Sequence, residues 1–180
     1  VKSIIDIESK KPAYEVNLVP EQLPYQRKNL EVIHDAMVAV NEVGTSASSF
    51  VGAKYVSAGK TGTAQVFTVK QNEKYVVSQV PERLRDHALY IAFAPADDPK
   101  VALAMVVENG GFGAQSAAPI ARRVMDYVVS GLYPNERDIA LVQRSQATRP
   151  AFPPKPVSEV SWPPPEIPQA ADLPNSSTKP

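Results

Sequence analysis

The 180-residue chain has no cysteine. That excludes disulfides, thiolate metal sites and a cysteine nucleophile together. It has no net charge either, with 19 Lys and Arg against 19 Asp and Glu. Binding to a phosphate backbone needs a basic surplus, so no nucleic-acid partner is expected. No apolar run approaches the ~18 residues of a membrane span. No charged-then-apolar leader opens the chain. Only two histidines occur, at unrelated spacing, which speaks against a zinc site. The chain starts on valine, and we expect an internal start within a longer protein.

Proline, by contrast, is abundant and unevenly placed. Of 18 prolines, ten lie between Pro150 and Pro180. That stretch has neither a period of 2 nor of 3.6 and little to bury, so it reads as an extended, disordered tail. Pro150–Pro153, Pro153–Pro156 and Pro165–Pro168 match P-x-x-P. The pattern is common in any proline-rich segment, so a passive tail is favoured over a docking peptide. Trp162 in this stretch has no assigned role.

Residues 1–28 are polar and irregular, punctuated by Pro12, Pro20 and Pro24. A helix is predicted from Asn29 to about Val43, with Leu30, Ile33, Met37 and Val40 as its apolar stripe. Asn29 would cap it and Gly44 would end it. His34 within it reads as a surface or packing residue. Tyr55–Val69 is rich in β-branched residues and predicts a strand. A long connection over 70–86 holds a short helical candidate, Pro81–Asp86. His87–Ala94 and Val101–Glu108 predict two strands joined by a tight turn at Asp97–Pro99, hence an antiparallel pair. Their near-continuous apolar runs predict cover on both faces. A last helix is predicted from about Ala117 to Ser130, with Pro119 in its first turn. Its buried stripe would be Ile120, Val124, Tyr127 and Val128, and Gly131 would end it. The order of elements predicts an α+β domain with helices beside an antiparallel sheet.

One stretch carries chemistry: Gly59-Lys60-Thr61-Gly62-Thr63. A phosphate-binding loop, G-x-x-x-x-G-K-[ST], would need glycine at position 54, which is Lys54, and a helix after the lysine. Here β-branched residues continue a strand. On a strand, Thr61 and Thr63 share one face and can offer two hydroxyls to a substrate carboxylate, while Gly62 points the other way. A missing side chain at Gly62 would let a helix pack close. Lys60 supplies positive potential and can influence nearby proton transfers. A backbone N–H of the strand can help hold an oxyanion.

Lys60-Thr-Gly is the motif of penicillin-binding transpeptidases and serine β-lactamases. Its context widens the likeness. Gly44-Thr45, Lys60–Gln65, Arg83–His87, Phe93-Ala-Pro95 and Glu108–Gly111 stand in an order and spacing that resemble class B penicillin-binding proteins over residues 28–132. The resemblance is strongest to the Gram-negative elongation branch. It implies the penicillin-binding transpeptidase / serine β-lactamase-like fold, with a five-stranded antiparallel sheet flanked by helices. Residues 29–146 would be the C-terminal lobe of that domain, 1–28 a connecting segment and 147–180 the tail. The implied activity is serine-type D,D-transpeptidation, cross-linking peptidoglycan stem peptides, with β-lactams as trapping mimics. Carried onto this chain, Lys60 is the motif lysine, Thr61 and Thr63 bind the terminal carboxylate, Gly62 allows close packing, and the Thr63 backbone N–H is an oxyanion donor. No cofactor or metal is implied. A lipid-linked glycan polymerase and a rod-shape scaffold are implied as partners. The implied location is the periplasmic face of the inner membrane, with the anchor upstream.

The family's other motifs, S-x-x-K and S-x-N, find no valid match. Ser57–Lys60 has the first spacing, but on a strand its two ends point to opposite faces. Ser176–Lys179 lies in the tail, after the motif it should precede. Tyr133-Pro-Asn135 mimics a Y-x-N variant but also comes too late. The nucleophile is therefore expected outside this chain, and the chain alone is expected to be inactive. The alternative is a non-catalytic, transpeptidase-like interaction module with a proline-rich docking tail. Asp86-His87 reads as a structural pair. Arg83, Arg85 and Arg122-Arg123 read as solvated faces or ion pairs.

Overall fold

A computed structural model describes residues 3–15, 24–66, 75–76, 79–144, 149–150 and 153–161. The chain divides into two compact units, Val1–Glu31 and Val32–Pro180. The first contains an antiparallel hairpin, β1 (Ser3–Ile5) and β2 (Pro12–Glu15). Residues 1–28 are thus not wholly irregular. The Asp6 carboxylate accepts the Ser9 N–H at 2.7 Å and closes the turn, an Asx turn of the kind that short polar side chains make. Lys10 takes a left-handed conformation, φ 57°.

The helix predicted from Asn29 runs from Arg27 to Glu42 as α1. Asn29 is inside it, so it is not the cap. Within the second unit the stripe also differs from the prediction. Ile33 is 57% exposed, whereas Asn41 is buried and His34 half-buried. The other predicted stripe residues, Leu30, Met37 and Val40, are half-buried. Gly44 does end the helix, its N–H bonded to the Ala39 carbonyl at 2.8 Å. A side chain there would stand 2.7 Å from the Val40 Cα.

A one-turn helix, α2 (Ala47–Phe50), leads to the central sheet. That sheet has the order β3-β4-β5, with β3 at Ala58–Ala64, β4 at His87–Ala94 and β5 at Val101–Val107. Both pairings are antiparallel, as predicted. The motif strand is shorter than predicted, and positions 67–70 lie outside the described residues. The short helical candidate before β4 is a single 3₁₀ turn, Glu82–Leu84.

The register puts Ala88, Tyr90, Ala92 and Ala94 of β4 beside Val107, Met105, Leu103 and Val101 of β5. This face packs against α3 (Gly113–Ser130), forming a core with Ala117, Ala118, Ala121 and Met125. The opposite face, with Leu89, Ile91 and Phe93 beside Val106, Ala104 and Ala102, is largely open, although Leu89 and Phe93 are half-buried and the Phe93 ring lies 5.8 Å from that of His34. Ile91 is 51% and Val106 61% exposed. Full cover on both faces, expected from the apolar runs, is therefore not seen among the described residues.

α3 starts four residues before its predicted start, so Pro119 lies inside the helix, not in its first turn. Its buried stripe is alanine-rich. Val124, Tyr127 and Val128 are 40–52% exposed. Small residues let the helix lie close on the sheet, and the large apolar ones are left outside. Gly131 ends α3 with φ 62°, the left-handed cap that glycine favours.

Beyond α3, β6 (Leu132–Tyr133) pairs with β7 (Lys155–Pro156) around α4 (Glu136–Gln143). Part of the stretch read as a free tail is thus paired. The Val157 N–H bonds the Gly131 carbonyl at 2.8 Å, and Asn135 Nδ2 donates to the Pro153 carbonyl at 3.1 Å. Residues 162–180, including Trp162 and the 176–179 decoy, lie outside the described residues.

Candidate functional site around the Lys-Thr-Gly strand

Lys60-Thr61-Gly62-Thr63 lies extended in β3, paired along its whole length with β4. The helix opening that a phosphate-binding loop requires is absent at these residues. β3 is the edge of the β3-β4-β5 sheet. On its outer side, alternate backbone N–H and C=O groups have no strand partner among the described residues, which suits pairing with an extended peptide.

Thr61 stands opposite Tyr90 and Thr63 opposite Ala88, so both hydroxyls sit on the α3 side of the sheet. Lys60 stands opposite Ile91 on the open side. Its side chain is exposed, and its Nζ donates to the Thr61 carbonyl at 2.7 Å. A ligand laid along the free edge can meet all three. Gly62 stands opposite Leu89, and a side chain there would meet the Leu89 Cβ at 3.1 Å. The close helix approach expected from Gly62 is made possible by a second glycine. A Cβ on Gly113, the first residue of α3, would clash with the Leu89 carbonyl and lie 2.7 Å from the Gly62 carbonyl oxygen. Two backbones meet there with no side chain between them.

A buried polar knot lies at the start of this strand. Asn41 Nδ2 donates to Ser57 Oγ at 2.9 Å. Its Oδ1 accepts from Tyr90 Oη at 2.6 Å and from Ser46 Oγ at 2.8 Å. Asn41, Ser46, Ser57 and Tyr90 are each at most 5% exposed. Buried polar groups are tolerated when every member is bonded, and then they fix one arrangement. Burial pushes the Tyr90 phenol above its ordinary pKa. Gly59 has no side chain because the Tyr90 hydroxyl fills that space. Ser57, the decoy nucleophile, is committed to Asn41, whereas Lys60 is exposed. One further hydroxyl reaches the motif. Thr45 Oγ1 and Thr61 Oγ1 are 3.1 Å apart. Sequence reasoning included Gly44-Thr45 in the resemblance but gave it no role. It missed Asn41 and Tyr90, since a lone polar residue on a helix carries no signal of its tertiary partners.

The other candidates are structural. His87 Nδ1 accepts the Asn109 N–H at 2.9 Å, which leaves the ring proton on Nε2. Asp86 is 8% exposed, and its N–H donates to Tyr75 Oη at 3.1 Å. Asn135 caps α4, accepting the Asp138 N–H at 2.9 Å. Arg122 and Arg123 are not on a solvated face. Arg122 Nε donates to Asp126 at 2.8 Å and its Nη1 to the Ser49 carbonyl at 3.1 Å. Arg123 makes a two-pronged bond to Asp138, at 2.8 and 2.5 Å, and both side chains are nearly fully buried. A cleft of about 290 Å³ opens by Glu82, Arg85, Glu108 and Gln115, and no residue of Lys60–Thr63 lines it. No described helix is long and apolar enough to cross a membrane.

Comparison with known proteins agrees with the motif. The family described as penicillin binding protein transpeptidase domain matches residues 1–126. The peptidoglycan D,D-transpeptidase MrdA of Haemophilus influenzae is 47% identical over 91 residues, 51% of this chain and 14% of that protein. The crystal structure of Pseudomonas aeruginosa PBP2 in complex with WCK 5153 is 34% identical, covering 64% of this chain and 22% of that one, with a TM-score of 0.49. A Helicobacter pylori PBP2 in complex with MreC is 28% identical over 64% of this chain and 20% of that one, with a TM-score of 0.49. The chain spans about a seventh of the length of its Haemophilus relative.

Proposed function

The chain belongs to the penicillin-binding protein transpeptidase domain family, and from that premise we propose that it is the Lys-Thr-Gly lobe of a serine-type peptidoglycan D,D-transpeptidase. The observation that carries this reading is the extended tetrapeptide Lys60–Thr63 on the edge strand of the β3-β4-β5 sheet. The hydroxyls of Thr61 and Thr63 receive the terminal carboxylate of a D-Ala–D-Ala stem peptide. Lys60 adds a positive charge across the strand. The N-terminus of α3, lying against Gly62 without a side-chain cap, contributes the positive end of the helix dipole.

In the reaction, a serine attacks the carbonyl of the D-Ala–D-Ala bond, and the tetrahedral oxyanion takes a bond from the Thr63 backbone N–H. D-Ala leaves, and the amine of a second stem peptide displaces the serine from the acyl-enzyme. β-Lactams enter the same edge and acylate the serine. That serine, the S-x-x-K lysine and the S-x-N groups come from chain outside these 180 residues, which also covers the open apolar face of the sheet. The protein works in wall elongation at the periplasmic face of the inner membrane. A lipid-linked glycan polymerase and the rod-shape scaffold are its partners there.

Fluorescent penicillin tests this reading. The 180-residue chain alone stays unlabelled, the full-length protein is labelled, and Lys60→Ala in the full-length protein removes most of the label. Labelling of the short chain overturns the division of roles, and an unlabelled full-length protein overturns the activity.

A further inference from the structure

We propose that Thr45 is a positioning residue for the motif, holding the Thr61 hydroxyl in the orientation that receives a substrate carboxylate. The inference rests on the functional reading above and adds to it a residue outside the Lys-Thr-Gly strand. Thr45 Oγ1 lies 3.1 Å from Thr61 Oγ1. A threonine hydroxyl on an edge strand is otherwise free to turn between rotamers. The bond to Thr45 uses one of its lone pairs or its proton and so selects one rotamer.

Thr45 is itself fixed from both sides. Before it, Gly44 lets the chain leave α1 along a path where any side chain would stand 2.7 Å from the Val40 Cα. After it, Ser46 is fully buried, with its hydroxyl on the Val40 carbonyl at 3.2 Å and on Asn41 Oδ1 at 2.8 Å. The same Asn41 holds Ser57 and Tyr90. Ser57 immediately precedes β3, and Tyr90 stands opposite Thr61 in the register. The turn that presents Thr45 and the strand that presents Thr61 therefore share one buried anchor. Their separation is set by that knot and not by the exposed bond alone.

The test measures the acylation rate of the full-length protein by fluorescent penicillin in a double-mutant cycle of Thr45 and Thr61. Thr45→Val keeps the shape and removes the hydroxyl. We expect it to slow acylation about five- to tenfold, the loss that one hydrogen bond represents, with the thermal midpoint unchanged. Thr45→Ser restores the rate. Thr61→Val slows acylation further, and adding Thr45→Val to it has no added effect, because the hydroxyl to be positioned is gone. Multiplying effects in the double variant, or an unchanged rate in Thr45→Val, overturn the proposal and leave the functional reading standing. A full-length protein that takes no label, or a Thr61→Val variant as fast as the parent, overturns the functional reading itself.

Discussion

The two faces of the β3-β4-β5 sheet are made by alternate residues of the same strands, yet they are built to different rules. On the α3 side, Ala88, Tyr90, Ala92 and Ala94 meet Ala117, Ala118, Ala121 and Met125, all at most 4% exposed. On the other side, Ile91 and Val106 are more than half exposed. Where β4 meets α3 the two backbones lie close, so alanines dominate that contact, and the larger Val101, Leu103, Met105 and Val107 of β5 pack beside it. On the second face β4 carries the larger residues, Leu89, Ile91 and Phe93, and among the described residues only Phe93 meets a ring, that of His34 at 5.8 Å. The contrast teaches that apolar size alone does not mark the completed core. Close fit does, and exposed apolar residues such as Ile91 and Val106 mark what remains to be covered. The motif lies where the two meet, with Thr61 and Thr63 on the finished side and Lys60 on the open one.

Substitutions sharpen this contrast. The largest effect belongs to the finished side. Asp138→Ala leaves the Arg123 guanidinium buried without its carboxylate and is expected to cost about 3–5 kcal/mol in denaturant unfolding. A loss below about 1 kcal/mol would mean that the pair is not buried in solution. Next comes Gly113→Ala. Its new methyl would run into the backbones of Leu89 and Gly62, so overpacking of about 1–3 kcal/mol is expected, with a parallel loss of penicillin acylation in the full-length protein. Unchanged acylation and stability would show that α3 does not press on the motif strand.

A smaller, pH-dependent effect is expected at His34. Its Nε2 bonds the Ala96 carbonyl at 2.9 Å and its Nδ1 faces Asp35 at 3.1 Å. These two bonds, the carbonyl first, raise its pKa above the ordinary 6.5. The contribution to stability is therefore complete below pH 6.5 and is lost as pH rises through the raised value. An NMR titration of the ring protons checks it, and a midpoint at or below 6.5 contradicts it. The smallest effect is Ile91→Lys on the open face. In the 180-residue chain it should change stability by less than about 0.5 kcal/mol. In the full-length protein it should cost several times more, because the face is then covered. Equal costs in both would break the comparison.

Local pattern made much of this readable. β4 has the bounds that its sequence predicts, and β5 ends one residue short of them. The tight Asp97–Pro99 turn fixed their antiparallel pairing. Thr61 and Thr63 share a face because strand geometry alone requires it. Other features left weaker traces. The hairpin in the first unit is short and sits among prolines. The α3 stripe was misread because alanine carries little hydrophobic signal. Arg122 and Arg123 read as solvated faces or ion pairs, and the ion pairs are what form, but their partners Asp126 and Asp138, and the Ser49 carbonyl, are identified only by the fold.

The sequence by itself determined that residues 60–63 form a strand carrying two hydroxyls and a cation, because side-chain period and β-branching act over a few residues. Only the tertiary structure decided which groups stand around that strand. Asn41, Tyr90 and Gly113 come from three separate elements and Thr45 from a turn, and their distances to the motif follow from how helices and sheet pack, a long-range condition that no local pattern encodes.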